Sequence, residues 1–229
     1  MKNHRIPSTH NMGSARRSYY IIGIASFLII DFLARIVLLP QNPTDQDIWI
    51  SLLIEWTMFL VLIFFWIPKV EHHKLDSIGV GRFRFRHIVV GVIAYIIAFI
   101  PISLLGYMLD IYNLPTLQSL QSTLSGYKLV TLVGLVLTGM LLEEFLYRGY
   151  LIERINSLTG HAWLGGLMSW FAFTIVHWRF VGFYPMFQIA IMAAVLVLIY
   201  LRERSVWPCV VFHGINSLLV YLIFPMVLS

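Results

Sequence analysis

The stretch LVTLVGLVLTGMLLEEFLYRGY, Leu129 to Tyr150, decides how this chain is read. Its first fourteen residues carry no charge, and then come Glu143, Glu144 and Arg148. A run this apolar and this long reads as a transmembrane helix, because about 20 residues at about 1.5 Å each span a hydrocarbon core about 30 Å thick. A charge inside such a segment costs several kcal/mol, so each of the three needs a partner or a task.

The rest of the chain agrees with that reading. Of its 229 residues 59% are hydrophobic and 12% charged, and the mean hydropathy is +0.81. A soluble domain is about 45–50% apolar and about 25% charged. Apolar runs of bilayer length recur at Tyr20–Pro40, Ile48–Pro68, Ile88–Leu109, Leu129–Tyr150, Ala162–Trp178, Tyr184–Leu201 and Val206–Leu228. The expected fold class is therefore all-α, a multi-pass transmembrane helical bundle of about seven membrane helices. Residues 1–19 read as a basic cytoplasmic tail, 20–229 as a single helical domain, and 129–219 as its motif-bearing core. The first run is too long for the apolar region of a signal peptide and lacks a cleavage site of small residues, so it reads as a span. Cys209 is the only cysteine, which excludes an internal disulfide and a Cys-based metal cluster.

Net charge is +5 and the pI is near 9.4, yet the basic residues fall in alternate connections. Thirteen of the sixteen lie in the N-terminal tail, the connection after the second run, and the connections after the fourth and sixth. Lys128 and Arg179 lie on the other side, and Arg35 lies within the first run. The excess of Lys and Arg on cytoplasmic connections then puts the N-terminus in the cytoplasm of a cell-membrane protein. A lipid bilayer, and no nucleic acid, is the partner this pattern implies. The segment Gly81–His87, GRFRFRH, reads as an anchor of this basic face with Phe dipping into the interface.

Spacing sorts the charges inside the runs. Asp31 and Arg35 are four residues apart and share a helix face. Glu55 has no local partner and is expected to be solvated near the outer interface. Glu144 and Arg148 are again four apart, acid first, which favours an intrahelical pair. Glu143 is turned about 100° away and faces Tyr147 in the next turn, which leaves it without a charge partner on its own helix. A carboxylate in that setting is either a satisfied core group or a base whose environment tunes it for catalysis. Two more polar sites stand in apolar segments: His177, one turn after Phe173, and His213, followed by Asn216 and Ser217 on roughly the same face. If the fourth helix runs on to a turn near Ser157–Gly160, Glu144 and His177 lie at similar heights, 16 and 17 residues from Gly160. If it ends at Tyr150, Glu143 and His177 lie near opposite faces.

These residues resemble the motifs of the CAAX protease and bacteriocin-processing (CPBP, or Abi) family of intramembrane proteases, which includes the Ras-converting CAAX endopeptidases. E-E-x-x-x-R matches Glu143, Glu144 and Arg148, and F-x-x-x-H matches Phe173 and His177. H-x-x-x-N matches at His213, but Ser217 stands four residues on and Asn216 falls one position early. The resemblance covers about Leu129 to Leu219. It implies a glutamic-type intramembrane endopeptidase, without metal or other cofactor, acting on a membrane-anchored or lipidated protein or peptide. Carried over, Glu143 and His177 would activate water and His213 would stabilise the oxyanion with Asn216. Glu144, Arg148, Phe173 and Ser217 would support them. Compact length and short connections associate the chain with prokaryotic members.

Three other readings stay open at this point. Glu143, His177 and His213 contain the donors of a two-His, one-carboxylate zinc site. The departure at Ser217 also fits a catalytically weak immunity or scaffold membrane protein. A transporter fits least, since no inverted repeat is visible. The substrate is equally open among a prenylated CAAX protein, a bacteriocin leader and a sorting-signal protein.

Overall fold

The computed structural model describes residues 14–40, 42–115 and 124–223. Seven helices form among them: α1 (Ser14–Leu38), α2 (Asp45–Val70), α3 (Phe85–Ile111), α4 (Leu129–Thr159), α5 (Ala162–Val181), α6 (Pro185–Glu203) and α7 (Trp207–Ile223). No strand occurs among the described residues. Helices α1 to α4 and α6 are long and apolar enough to cross a membrane, and α7 is a shorter apolar helix. The all-α multi-pass bundle is thus the observed architecture. Part of the expected tail is helical, since α1 begins at Ser14. The end of the seventh expected span, 224–228, lies outside the described residues.

Local chemistry sets the helix boundaries. Thr44 and Asp47 form a reciprocal capping box at the start of α2, with Thr44 N–H donating to Asp47 Oδ2 at 2.9 Å, which satisfies donors a helix start leaves open. Pro185 and Pro208 stand in the first turns of α6 and α7, where a missing N–H does no harm. Gly160 closes α4 with φ +77°, a left-handed conformation that glycine adopts without a Cβ clash. Between Thr138 and Leu151 the helix is wound more widely, with i→i+5 hydrogen bonding, a variation frequent at functional sites.

Helix α4 is the centre of the bundle. Every residue from Leu142 to Leu151 is buried, and 56% of its most apolar stretch is buried against 11% in α3. Helix α3 instead turns Ile93, Ile96, Ile97, Ile100 and Leu104 outward, as a lipid-facing helix must. The bundle has two distinct ends, recognisable from the contacts made at each. At the end bearing the start of α1, Arg154 pairs with Glu71 at 2.7 Å, Arg204 with Glu153 at 2.8 Å, and Arg86 with Glu203. At the other end Tyr127 donates to the Pro43 carbonyl at 2.9 Å and Trp49 to Thr131 at 3.1 Å. The Gly81–His87 segment does more than anchor: Phe83 stacks edge-on against Trp207, while Phe85 is exposed.

Candidate active site

The longer of the two expected courses for the fourth helix is the one adopted. Helix α4 continues past Tyr150 to Thr159, turns at Gly160, and α5 runs back beside it. That hairpin brings Glu143 and Glu144 level with His177, which a helix ending at Tyr150 would have separated. Packing of α7 against the same part of α4 adds His213.

Glu144 and Arg148 make the expected i,i+4 pair at 3.1 Å, both fully buried. The pair is not closed on itself. His213 Nδ1 lies 2.7 Å from Glu144 Oε1, and the Arg148 guanidinium sits over the Phe173 ring at 4.1 Å. The same ring lies 4.3 Å from the His177 ring, centroid to centroid. Phe173 is therefore the shelf between the two polar clusters, and a planar guanidinium on an aromatic face is a favourable use of it.

Glu143 has no charge partner on its own helix, as its spacing implies, but it finds one on another helix. Arg35 Nη1 reaches Glu143 Oε1 at 2.6 Å from α1. The same guanidinium holds Asp31 at 3.1 Å and Glu55 at 2.6 Å. Glu55 is correspondingly not solvated at an interface but 3% exposed, with Ser51 Oγ donating to it at 3.0 Å. Tyr147, the residue facing Glu143 in the next turn, donates its hydroxyl to Asp31 at 2.5 Å. One cation thus serves three carboxylates from three helices. The separation in sequence hides this: no spacing rule connects residue 35 to residue 143.

With Oε1 on Arg35, Glu143 Oε2 is buried and has no hydrogen-bond partner among the described residues. It faces His213 Nε2 at 3.8 Å and His177 Nε2 at 3.9 Å. The far nitrogens of both rings are engaged. His177 Nδ1 lies 2.7 Å from the Phe173 carbonyl, and since a carbonyl only accepts, that nitrogen carries the proton and leaves Nε2 with its lone pair. His213 Nδ1 likewise donates to Glu144. Ser217 Oγ is also buried without a partner among the described residues. It and His213 Nε2 approach Gly139 so closely that a Cβ there would stand 3.2 and 3.3 Å from them. Asn216 is only partly buried and does not line the cavity.

That cavity, about 70 Å³, has Glu143, His177 and His213 at one end and Arg35, Glu55 and Thr138 along its wall. One water needs about 10–15 Å³ by this measure, so several fit. Among the described residues no group of three or more His, Cys, Asp and Glu has metal-site geometry. Cys209 is buried, its thiol against the Leu196 carbonyl.

Glu143 and two histidines converge on a buried cavity with room for water, and the arrangement coincides with a known sequence pattern. Residues 125–219 match the family model described as type II CAAX prenyl endopeptidase, Rce1-like. This segment is similar to an Rce1-like domain. It begins four residues before the 129–219 core expected from the motifs and ends on the same residue. The likeness supports an intramembrane endopeptidase in general. No curated protein and no solved structure matches the chain. The Rce1-like segment covers under half of the chain and contributes Glu143, Glu144, Arg148, Phe173, His177, His213 and Ser217. Arg35, Asp31 and Glu55 come from outside it.

Proposed function

We propose that this chain is a glutamic-type intramembrane endopeptidase that cleaves a membrane-anchored polypeptide, with Glu143 and His177 activating water and His213 holding the oxyanion. The single observation carrying this reading is the unpartnered Glu143 Oε2 facing two ring nitrogens across a cavity with room for water. Gaps of 3.8 and 3.9 Å leave a point about 2.8 Å from Oε2 and from either ring nitrogen, which is ordinary hydrogen-bond reach.

Water held there gives one proton to Glu143 as its oxygen adds to the carbonyl carbon. The carbonyl oxygen takes up the negative charge. His213 can donate to it from Nε2 only when both ring nitrogens carry protons, with Nδ1 held by Glu144. Collapse of the adduct breaks the C–N bond, and the proton taken from water reaches the departing nitrogen through His177. We assign the second oxyanion donor to Ser217, whose hydroxyl, unpartnered among the described residues, borders Gly139 as His213 Nε2 does, in place of Asn216. Arg35 is a positioning residue: it fixes Oε1 and turns Oε2 to the water.

Glu143→Gln keeps the shape of the side chain and removes the base. Cleavage of the anchored substrate is expected to fall by about 10²–10⁴-fold, the usual worth of a general base, while thermal unfolding in detergent stays near that of the parent. Cleavage retained at the parent rate would sink the proposal.

A zinc reading has one observation in its favour. Both rings donate from Nδ1 and aim Nε2 at the same carboxylate, as metal-bound histidines do. A tetrahedral zinc with bonds of about 2.0–2.1 Å would, however, draw its donors to about 3.3–3.4 Å, closer than the distances here. Stoichiometric zinc in the purified protein together with activity lost to a chelator would favour it over the water-and-glutamate reading.

A further inference from the structure

The cavity's place along the bundle bears on which substrates reach it, an inference that rests on the endopeptidase reading above. Its lining comes from one half of the bundle only. Helix α1 contributes Arg35 and Leu39 at its end, α2 contributes Ile48 to Glu55 near its beginning, and α7 contributes Tyr221 in its last turn. From Glu143 the space runs up α4 toward Leu135, that is, toward the start of that helix. All of these lie toward the end of the bundle formed by the α1–α2 connection. Among the described residues the wall is low there: α1 ends three residues after Arg35, at Leu38, and α5 ends four residues after His177, at Val181. On the other side the pocket is closed by the continuously buried stretch Leu142–Leu151 and by the Glu71–Arg154–Tyr150 network.

The closed end is the basic one. It gathers Arg16, Arg17, Lys69, Lys74, Arg82, Arg84, Arg86, Arg154, Arg202 and Arg204 by their positions at helix ends and connections. The end toward which the cavity runs has Lys128 and Arg179 by position, with Asp45 and Asp47 at the start of α2. The excess of Lys and Arg on short connections marks the cytoplasmic side of a membrane protein.

We propose that the active site is reached from the non-cytoplasmic side of the membrane. Its substrate is then a polypeptide exported across the bilayer and still tethered to it, with the scissile segment lying in or just outside the outer leaflet. The apolar lining of Leu39, Ile48, Leu52, Leu135 and Val176 suits an extended, apolar segment next to a membrane anchor, and the scissile carbonyl then meets Glu143 about 6 Å below the end of α5, four residues at about 1.5 Å.

Thiol accessibility tests this without any cleavage assay. With buried Cys209 replaced by Ala, Leu39→Cys at the rim and Lys74→Cys on the basic end are each labelled with a membrane-impermeant maleimide. Intact cells and inverted membrane vesicles are compared. Leu39→Cys is expected to react in intact cells and Lys74→Cys only in inverted vesicles. Reaction of Leu39→Cys on the same side as Lys74→Cys overturns the proposal. Adding Glu143→Gln leaves the labelling unchanged, so loss of the proteolytic reading is registered separately by the cleavage assay. In cells, new polypeptide ends present with the parent chain and absent with Glu143→Gln are expected on outward-facing segments. New ends confined to cytoplasmic segments overturn it.

Discussion

Arg35 holds the carboxylate proposed as the base. A buried guanidinium touching Asp31, Glu55 and Glu143 cannot be removed cleanly, because three carboxylates then share an apolar site with no cation. Breaking a buried ion pair from one side costs about 3–5 kcal/mol. Arg35→Gln is therefore expected to lower thermal stability strongly and to abolish cleavage. Adding Asp31→Asn and Glu55→Gln removes two of the orphaned charges. Unfolding measured in detergent is expected to recover toward the parent value while cleavage stays low, since nothing fixes Glu143 Oε1. Recovery of both together would show that Arg35 acts through stability alone. The motif residues were legible because they sit in fixed local spacings. Arg35 was visible only as an intramembrane charge with a neighbour at Asp31, and its main contacts lie 20 and 108 positions away in the chain.

At the scale of elements, the hairpin of α4 and α5 does most of the positioning. Its turn at Gly160 sets the register in which Glu143 and His177 meet, and the length of α4 beyond Tyr150 is what makes them level. Sequence spacing offered both lengths, and no propensity rule chooses between a helix stopping at Tyr150 and one stopping at Gly160. The buried pairing of Arg154 with Glu71 holds the extension in place. Helix α7 comes close to α4 because position 139 has no side chain. In Gly139→Ala the new methyl would stand 3.2 Å from Ser217 Oγ and 3.3 Å from His213 Nε2, so those groups shift by a few tenths of an ångström. Misplacement by about 1 Å costs about 10²-fold in rate. This smaller shift is expected to reduce kcat by about 10-fold, with KM and the unfolding temperature little changed. An unaltered kcat would mean that His213 and Ser217 do not need this position.

Across the whole molecule, a second polar network far from the active site ties the basic end together. Glu71 accepts from Arg154, Tyr150 and Trp66, and Tyr20 and His73 pair at 2.7 Å beside them. His73 lies outside the membrane-spanning helices, and burial, with Arg154 and Arg16 nearby, pushes its pKa from 6.5 down to about 4; Asp76 opposes the shift. The folded chain therefore binds fewer protons here than the unfolded chain between those values. Stability from this site is present above pH about 6.5 and lost as the pH falls toward 4. Unfolding temperatures measured across that window are expected to drop more steeply for the parent than for His73→Gln. The comparison isolates the imidazole from Glu71, whose carboxyl burial pushes upward. Equal slopes would remove His73 from the account.

The amino-acid sequence by itself determined the all-α membrane architecture, the Glu144–Arg148 and Asp31–Arg35 pairs, and the acids and histidines worth watching. Each of these follows from hydrophobic length or from helical periodicity, which act over a few residues. Only the tertiary structure decided that Glu143 is held by Arg35, that Glu55 is buried, that Ser217 and His213 close on Gly139, and that the cavity runs away from the basic end. Those depend on which faces of α1, α2, α4 and α7 pack together, and side-chain burial between helices distant in the chain leaves no local pattern to read.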